Sequence, residues 1–375
     1  MTISSRDNFL RAITFTSPKW IPHNVFWPPA TWYKYGEALE DLVLKHSIIF
    51  DDAVSKYKPV KGLYKLFMSL ARYSIWRKGN MYKDEWGCVW SYVIDGIEGQ
   101  VVVHPLEDIG NLKLYRPPNS RKSEGPPYIP PLGGGYMSPY ETWDDIRARL
   151  SGERKAGLLV GGSLPHGFMF QRIYYLRGLK AFMIDLVREA PHLLDIINMV
   201  LDYNLGLIER WLEMGVDVMF FGDDLGAQDR PFISPRLFRK YFIPAYREMF
   251  KKVHEAGAYV YLHSDGHIIE LIPDLIEAGV DVINPQDKVN GIDNLERICK
   301  GRVCMDVDVD RQKLLPKGTP EAIEAHVKEI VTRLGSKKGG LMLKADCYPD
   351  VPLSNIEALC LAIEKYRGYY GSDLS

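Results

Sequence analysis

The stretch 258-AYVYLHSDGH-267 ends an apolar run with His263 and Asp265, which stand two residues apart. Side chains at i and i+2 of an extended chain face the same side, so this imidazole and this carboxylate could bind one metal ion. Cys347 follows another apolar run and could supply a third ligand. A zinc ion with three protein ligands keeps one position open, which is the pattern of catalytic zinc. The alternative is that His263 and Asp265 only form a hydrogen bond with each other.

Polar residues follow the other apolar runs as well, and together they could form one polar rim. We predict catalytic roles for Asp223, Asp224 and His263. We predict substrate contacts for His166, Asn284, Gln286 and Asp306. Because Asp223 and Asp224 are adjacent, they face opposite ways in an extended chain, so one is expected to enter the site while the other caps the following loop.

Three carboxylates alternate along the run that begins at Val303, namely Asp306, Asp308 and Asp310. Only one or two of them can point into a common site. We therefore expect a structural role for Asp308 or Asp310, and we expect Arg311 to neutralise another of the three.

The elements that must position these residues are six apolar runs that alternate with segments of helical period. The runs are 157-GLLVGGS-163, 216-VDVMFFGDD-224, 257-GAYVYLHSD-265, 280-VDVINPQ-286, 302-RVCMDVD-308 and 340-GLMLKAD-346. This alternation predicts a parallel sheet that is covered on both faces. Two further units would complete an α/β fold of the (β/α)8 TIM-barrel type, with 21-IPHNVFW-27 as one candidate strand. Active sites of such barrels lie at the carboxyl ends of the strands, where the polar residues fall.

We predict a single barrel domain over residues 1–375 with an insertion over residues 50–150, where the rhythm breaks. The insertion contains aromatic runs and a loop over residues 117–139 that is dense in proline and glycine. Long irregular segments of compact domains are often lids or binding loops. The insertion is therefore expected to lie over the barrel mouth as a lid.

Three aromatic residues, Phe26, Trp27 and Trp32, stand just beyond the candidate first strand. Large rings at the barrel mouth would suit a flat apolar substrate, and we predict that these three help to line its pocket. The alternative is that all three pack against the insertion and never contact substrate.

Composition narrows the class of protein. The net charge of −1 over 375 residues argues against a nucleic-acid partner, which needs a basic surface. No apolar run is long enough to span a membrane, and the N-terminus has no apolar signal core. The five cysteines are irregularly spaced and indicate thiols rather than a disulfide framework. These features predict a cytoplasmic protein.

The sequence resembles the uroporphyrinogen decarboxylase superfamily over nearly the whole chain. The resemblance rests on 5-SRDNFLRAITFTSPKWIP-22, 234-SPRLFRKYFIPAYREMF-250, 263-HSDGHIIELIPDLIEAGVDVINPQ-286 and 347-CYPDVPLSNIEAL-359. It implies a (β/α)8 barrel that is either a porphyrinogen decarboxylase or a corrinoid-linked methyltransferase. The decarboxylases carry an arginine-bearing RQAGR-like motif that holds substrate carboxylates. The corresponding stretch here, 25-VFWPPATWYKY-35, contains no arginine.

The methyltransferase branch fits better, because its zinc site resembles His-x-Cys followed far downstream by a second Cys. His263 and Cys347 match that pattern, whereas Asp265 stands in place of the first Cys. A carboxylate is a harder ligand than a thiolate and favours polarisation of an ether oxygen. The resemblance thus implies an O-demethylase that moves a methyl group from a methoxylated aromatic compound to the cobalt(I) corrinoid of a partner protein. It implies zinc as a cofactor and a corrinoid supplied by that partner, and a homodimer is the assembly to test.

Three alternatives stay open. The chain could be a methyl-corrinoid:thiol or folate methyltransferase, a decarboxylase of the uroporphyrinogen type, or a non-catalytic protein that binds or delivers corrinoid. Bound metal and phenol release from a methoxyarene in a single turnover would separate the O-demethylase from a delivery protein, which should show neither.

Overall fold

The computed structural model describes residues 3–53, 55, 57–71, 74–126 and 141–370. Its strands are β1 (His23–Phe26), β2 (Met81–Lys83), β3 (Val89–Ser91), β4 (Gln100–Val103), β5 (Gly161–Ser163), β6 (Val218–Gly222), β7 (Tyr259–Ser264), β8 (Val282–Pro285), β9 (Cys304–Asp308) and β10 (Leu341–Asp346). Its α-helices are α1 (Ser5–Ile13), α2 (Pro29–Tyr35), α3 (Glu37–Lys45), α4 (Ser47–Phe50), α5 (Leu63–Ala71), α6 (Trp143–Lys155), α7 (Phe170–Arg177), α8 (Leu179–Arg188), α9 (Leu193–Glu213), α10 (Pro235–Tyr241), α11 (Ile243–Glu255), α12 (Ile272–Ala278), α13 (Asp287–Asn290), α14 (Ile292–Cys299), α15 (Leu314–Lys317), α16 (Pro320–Leu334) and α17 (Leu353–Tyr366).

Seven strands form one parallel sheet in the order β1-β10-β9-β8-β7-β6-β5. The six apolar runs of the second half become β5 to β10, and the candidate strand near the N-terminus becomes β1, which pairs in parallel with β10. The predicted α/β class and TIM-barrel-like fold are therefore confirmed. Within the described ranges the sheet has seven strands rather than eight, with β1 and β5 at its edges.

The interior of the curled sheet is apolar at one end and polar at the other. At the apolar end, Tyr261, Cys304 and Met342 pack against residues of α1, including Phe9. The helix α1 lies beside the starts of the strands, because its residue Ala12 accepts a hydrogen bond from Gly340, just before β10. Packing of α1 therefore closes the amino end of the sheet and leaves the carboxyl end for polar side chains.

The insertion over residues 50–150 adds no strand to the large sheet in its described part. It forms a small antiparallel sheet in the order β2-β3-β4. A buried ion pair of 2.9 Å between Asp84 Oδ2 and Arg172 Nη1 joins it to α7. Residues 127–139 of the predicted covering loop lie outside the described residues, so the role of that loop stays a prediction.

In the part of the chain that the structure covers, every helix is too short or too polar to cross a membrane.

Candidate functional site

Three side chains that could hold a metal ion meet at the carboxyl end of the sheet. They are His166, which follows β5, Asp224, which follows β6, and His263 in β7. His166 Nε2 and His263 Nε2 lie 3.3 Å and 3.8 Å from Asp224 Oδ1, and one potential ligand atom from each residue lies within 4.8 Å of the others. We call these three residues the His-Asp-His group.

Glycine at position 222 makes room for this group. A Cβ atom on Gly222 would lie only 2.6 Å from His166 Cδ2. The backbone N–H of Gly167 also donates to the carbonyl of Gly222 over 2.7 Å, which fixes the loop that carries His166. The end of β6 is therefore shaped so that a histidine from the preceding loop can reach Asp224.

A hydrogen bond to Asn284 sets the orientation of His263. Asn284 Oδ1 lies 2.6 Å from His263 Nδ1 and 3.4 Å from Lys344 Nζ, and Asn284 Nδ2 donates to the Asp306 carbonyl. An atom that faces both the lysine cation and the imidazole must be the amide oxygen, so Nδ1 of His263 carries the proton. Nε2 of His263 is thereby left to face Asp224, which is the arrangement that neighbouring residues impose on a metal-binding histidine.

Asp224 is held in place by three hydrogen bonds. The side chain of Gln171 donates to Asp224 Oδ2 and accepts from the Asp224 N–H, both over 3.1 Å, and the Asp265 N–H donates to Asp224 Oδ1 over 3.0 Å. Burial acts to raise the pKa of Asp224, but the neighbouring His166 and His263 lower it overall. Asp224 therefore presents a carboxylate to the two imidazoles.

The adjacent carboxylate, Asp223, has a different task. Asp223 is fully buried and accepts hydrogen bonds from the N–H groups of Phe170 (2.6 Å) and Gln171 (2.9 Å) and from the hydroxyl of Tyr246 (2.7 Å). It thus caps the first turn of α7, where unpaired N–H groups and the helix dipole favour a negative charge. Asp224 thus lies beside the two histidines and Asp223 faces away from them, as expected for adjacent residues at a strand end, but Asp223 caps the preceding helix α7 rather than the following loop.

Asp265 lies beside the His-Asp-His group. Its Oδ1 atom is 3.4 Å from His263 Nε2, and its Oδ2 atom accepts a hydrogen bond from Arg311. Burial acts to raise the pKa of Asp265, but His263, Arg311 and Lys344 hold it well below its usual range. Oδ1 is buried and has no hydrogen-bond partner among the described residues, so it offers a lone pair next to His263.

Cys347 is fully buried, and burial raises the pKa of its thiol well above the usual range. Its N–H donates to the carbonyl of Phe26 over 2.7 Å, and its carbonyl accepts from the hydroxyl of Thr31 over 3.0 Å. Within the described ranges, only the His-Asp-His group brings three potential ligand atoms together, and it does not include this thiol. The structure thus brings His263 and Asp265 together, and metal binding by Cys347 stays a prediction.

The other residues predicted to contact substrate have protein partners. Gln286 Oε1 accepts from the Gly266 N–H over 2.9 Å, and Asp306 Oδ2 accepts from the Tyr261 hydroxyl over 2.7 Å. Burial raises the pKa of Asp306 to about 6. Asn284 orients His263, as described above. Of the four, His166 is the one that lies in the His-Asp-His group.

Trp27 and Trp32 lie in an aromatic core rather than at an open surface. Both rings are fully buried, 5.6 Å apart between centroids, and Trp27 stacks on Tyr57 at 4.6 Å. Phe26 is only partly buried and also stacks on Tyr57, at 6.0 Å. For the two tryptophans, this placement favours the alternative of packing over the predicted contact with substrate.

The expected neutralisation of acidic residues by Arg311 is present. Arg311 Nη1 lies 2.7 Å from Asp346 Oδ2 and 3.5 Å from Asp308 Oδ2. Asp310 accepts hydrogen bonds from three successive N–H groups of residues 312–314, so its role is structural. The carboxyl end of the sheet thus combines several carboxylates with two cations, Arg311 and Lys344.

Three residues near the site were not singled out from the sequence, namely Glu98, Gln171 and Lys344. Lys344 had a signal, because it interrupts the apolar run of β10 and is two residues from Asp346. Gln171 and Glu98 had none, since α7 and the insertion supply them. Both line a cavity of about 450 Å³ between the insertion and α7, together with Trp90, Tyr174 and Tyr175.

Comparisons with known proteins agree with this fold. The family model described as "Uroporphyrinogen decarboxylase (URO-D)" matches residues 170–366. Among solved structures, a methyltransferase from Methanosarcina mazei is similar over 97% of this chain and 99% of its own, at 16% identity and a TM-score of 0.60. At that identity the likeness shows the fold alone. A comparison with curated proteins gives no match.

Two other solved structures are more distant. A D-psicose 3-epimerase from Clostridium cellulolyticum H10 matches 60% of this chain and 84% of its own, at 10% identity and a TM-score of 0.40. An IOLI protein with a zinc atom matches 60% of this chain and 93% of its own, at 14% identity and a TM-score of 0.34. At these TM-scores neither likeness informs the function.

Proposed function

The chain belongs to the uroporphyrinogen decarboxylase family, and on that premise we propose that it is a metal-assisted methyltransferase. It moves a methyl group from a methoxylated aromatic compound to the cobalt(I) corrinoid of a partner protein and releases a phenol. The observation that carries the proposal is the His-Asp-His group at the carboxyl end of the sheet, where barrel enzymes place their chemistry.

The residues present fit a zinc ion. Two imidazoles and a carboxylate are a ligand set of catalytic zinc sites, which keep one position for water or substrate. His166, Asp224 and His263 would hold the ion, and the buried, unpartnered Oδ1 of Asp265 beside His263 Nε2 supports a further oxygen ligand. When bound, zinc would supply Lewis-acid polarisation of the ether oxygen.

The protein's own residues orient this chemistry. Asn284 holds His263 with its Nε2 atom toward the site, and Gln171 holds Asp224. Arg311 and Lys344 offset the charge of the surrounding carboxylates. Correct positioning of reacting groups can contribute on the order of 7–11 kcal/mol, so these contacts are expected to matter for rate as well as for metal affinity.

The donor atoms favour transfer from oxygen over transfer to sulfur. Nitrogen and carboxylate oxygen are harder ligands than thiolate, and the His-Asp-His group contains no thiol. Sulfur ligands suit a zinc ion that activates a thiol acceptor better than nitrogen and oxygen ligands do. The aromatic walls of the cavity beside Gln171 support a flat substrate. The corrinoid partner, a homodimer and a cytoplasmic location remain predictions.

Metal analysis and a single turnover test the proposal. We expect about one zinc per chain in wild type and none in His166→Ala. Cys347→Ala shows whether that thiol also binds the metal. Free cob(I)alamin serves as methyl acceptor, and cobalt(I) absorbance should fall as a methoxyarene is converted to its phenol. Wild type without metal, or zinc-loaded protein that releases no phenol, would overturn the proposal.

A further inference from the structure

Tyr348 is an aromatic residue that the fold leaves accessible beside the candidate site. It follows the last residue of β10 by two positions, so it stands at the carboxyl end of the sheet, and 38% of its surface is exposed. Among the residues whose exposure the structure describes, the one other aromatic residue that is exposed to this extent is Phe232, at 37%. The protein thus encloses nearly all of its described rings and leaves this one open.

Hydrogen bonds to the segment that follows β1 fix the turn that carries Tyr348. On one side of the tyrosine, the Cys347 N–H donates to the Phe26 carbonyl over 2.7 Å. On the other side, the ammonium group of Lys34 donates to the Pro349 carbonyl over 2.6 Å. The backbone is therefore held directly before and directly after the tyrosine, and the place of the ring is set by the fold.

Arg311 connects Tyr348 with the His-Asp-His group. The guanidinium carbon of Arg311 lies 5.7 Å from the centroid of the Tyr348 ring. The guanidinium lies 2.7 Å from Asp346 through Nη1 and donates a hydrogen bond to Asp265 through Nη2. The other oxygen of Asp265, Oδ1, lies 3.4 Å from His263 Nε2. Two side chains thus link the ring to an imidazole of the group.

The contact with Arg311 orients the ring and still leaves part of it accessible. A guanidinium over an aromatic ring is an attractive contact, and here two carboxylates hold the guanidinium in place. The accessible part of the ring offers an apolar surface against which another aromatic ring can stack or lie edge-on. Phe232 differs in this respect, because its ring stacks on Phe170 at 5.9 Å.

We propose that Tyr348 is a substrate-binding residue that makes the site prefer aryl over alkyl methyl ethers. The inference rests on the proposed methyl transfer. The aromatic ring of the substrate packs against the accessible surface of Tyr348 while the ether oxygen lies at the His-Asp-His group. A saturated ring of the same size has no π face and gains less from this contact. Because the contact is equally present before and during transfer of the methyl group, it contributes to affinity rather than to the rate of bond breaking.

The test compares a flat ether with its saturated counterpart in Tyr348→Ala. We expect KM for anisole to rise about 10-fold, in the range of one aromatic pair, with kcat nearly unchanged. The inhibition constant of methoxycyclohexane, used as a competitor, should change less than about 3-fold. Equal changes for the two compounds, an unchanged KM for anisole, or a fall in kcat alone would overturn the assignment.

Three further variants serve as controls. Tyr348→Phe keeps the ring and should keep the wild-type preference for anisole, whereas Tyr348→Leu keeps apolar bulk without a π face and should lose it. Phe232→Ala is the matched control, because Phe232 is an equally exposed ring that packs on Phe170. It should leave both constants at their wild-type values. Zinc content should match wild type in Tyr348→Ala, and loss of zinc would overturn the binding role by showing that the ring supports the metal site through Arg311.

An equilibrium measurement separates this inference from the proposed function. Calorimetry with phenol and cyclohexanol requires no methyl transfer, and wild type should bind phenol more tightly, whereas Tyr348→Ala should bind the two about equally. If wild type transfers no methyl group but this difference is seen, the reaction is wrong and the role of Tyr348 stands. If methyl transfer occurs but the variant keeps the preference for phenol, or if wild type binds neither compound, the role of Tyr348 is wrong.

Discussion

The residues of the His-Asp-His group and the tryptophans of the aromatic core around Trp27 were all predicted to be functional, yet their side chains differ in exposure to solvent. The side chains of the group are partly accessible, at 18%, 23% and 15% for His166, Asp224 and His263, and lone pairs face a shared space. Trp27 and Trp32 are enclosed by other rings. An aromatic side chain gives the same sequence signal in a core as in a pocket, whereas converging polar side chains do not.

The sharpest way to break this comparison is His263→Ala. We expect complete loss of bound zinc and a fall in methyl transfer of about three orders of magnitude, since Lewis-acid catalysis contributes several kcal/mol. The thermal midpoint should change little. His254→Ala is the control, because His254 lies on the helix α11, outside the His-Asp-His group, and its ring pairs with Asp281. Metal retained by His263→Ala would show that the group is not the metal site.

Trp27→Ala probes the other region. Removal of a fully buried tryptophan is expected to lower the free energy of unfolding by about 3–5 kcal/mol. In the fraction that remains folded, the apparent affinity for methoxyarene should be unchanged. Denaturant unfolding and initial rates measure the two quantities. Leu114→Ala, at a side chain that is 80% exposed, should cost less than about 0.5 kcal/mol. Weaker substrate affinity at unchanged stability would show instead that Trp27 lines the substrate pocket, as the sequence predicted.

The adjacent aspartates allow the same contrast within two residues. Asp223→Ala removes the cap of α7 and the partner of Tyr246, so we expect a loss of about 2 kcal/mol in stability. Zinc stoichiometry should hold in that variant. Asp224→Ala should do the reverse, with zinc affinity lower by about 100-fold and a nearly unchanged thermal midpoint. Equal changes of stability and of zinc affinity in the two variants would show that the opposite orientations of Asp223 and Asp224 do not give them separate roles.

The smallest expected effect concerns ligand hardness. Asp265→Cys should keep zinc, because a thiolate binds it well, but should lose about 10-fold in demethylation. Zinc content and the rate of phenol release measure this. Demethylation at the wild-type rate would show that the carboxylate at position 265 does not set the preference for oxygen.

The large sheet could be predicted because parallel strands buried on both faces appear as continuous apolar runs, and all six runs of the second half became strands. No comparable run marks an eighth strand, and within the described ranges none is found. At the site, strand ends identified His166, Asp224 and His263 individually. Their grouping depends on Gly222, which admits His166, and on Gln171, which orients Asp224 from a helix. Such contacts join residues about fifty positions apart and leave no local pattern.

The cavity residue Glu98 illustrates the second limit. It comes from the insertion, where no periodicity indicates which side chain faces the barrel. A glutamate between two glycines (GIEG) is a common surface sequence. Only the close approach of Gly96 and Gly99 to other backbone segments shows that the turn between them is fixed in place.

Two neighbouring residues at the start of α7 connect the insertion to the candidate site. Gln171 donates a hydrogen bond to Asp224, and the next residue, Arg172, forms the buried ion pair with Asp84 of the insertion. Separation of that ion pair would strand a buried charge at a cost of about 3–5 kcal/mol. The part of the insertion that carries Asp84 is therefore expected to stay fixed against α7 rather than to move as a hinged lid. Substrates and products would then enter and leave by a route that is always open, and no opening motion of this part of the insertion would limit the turnover rate.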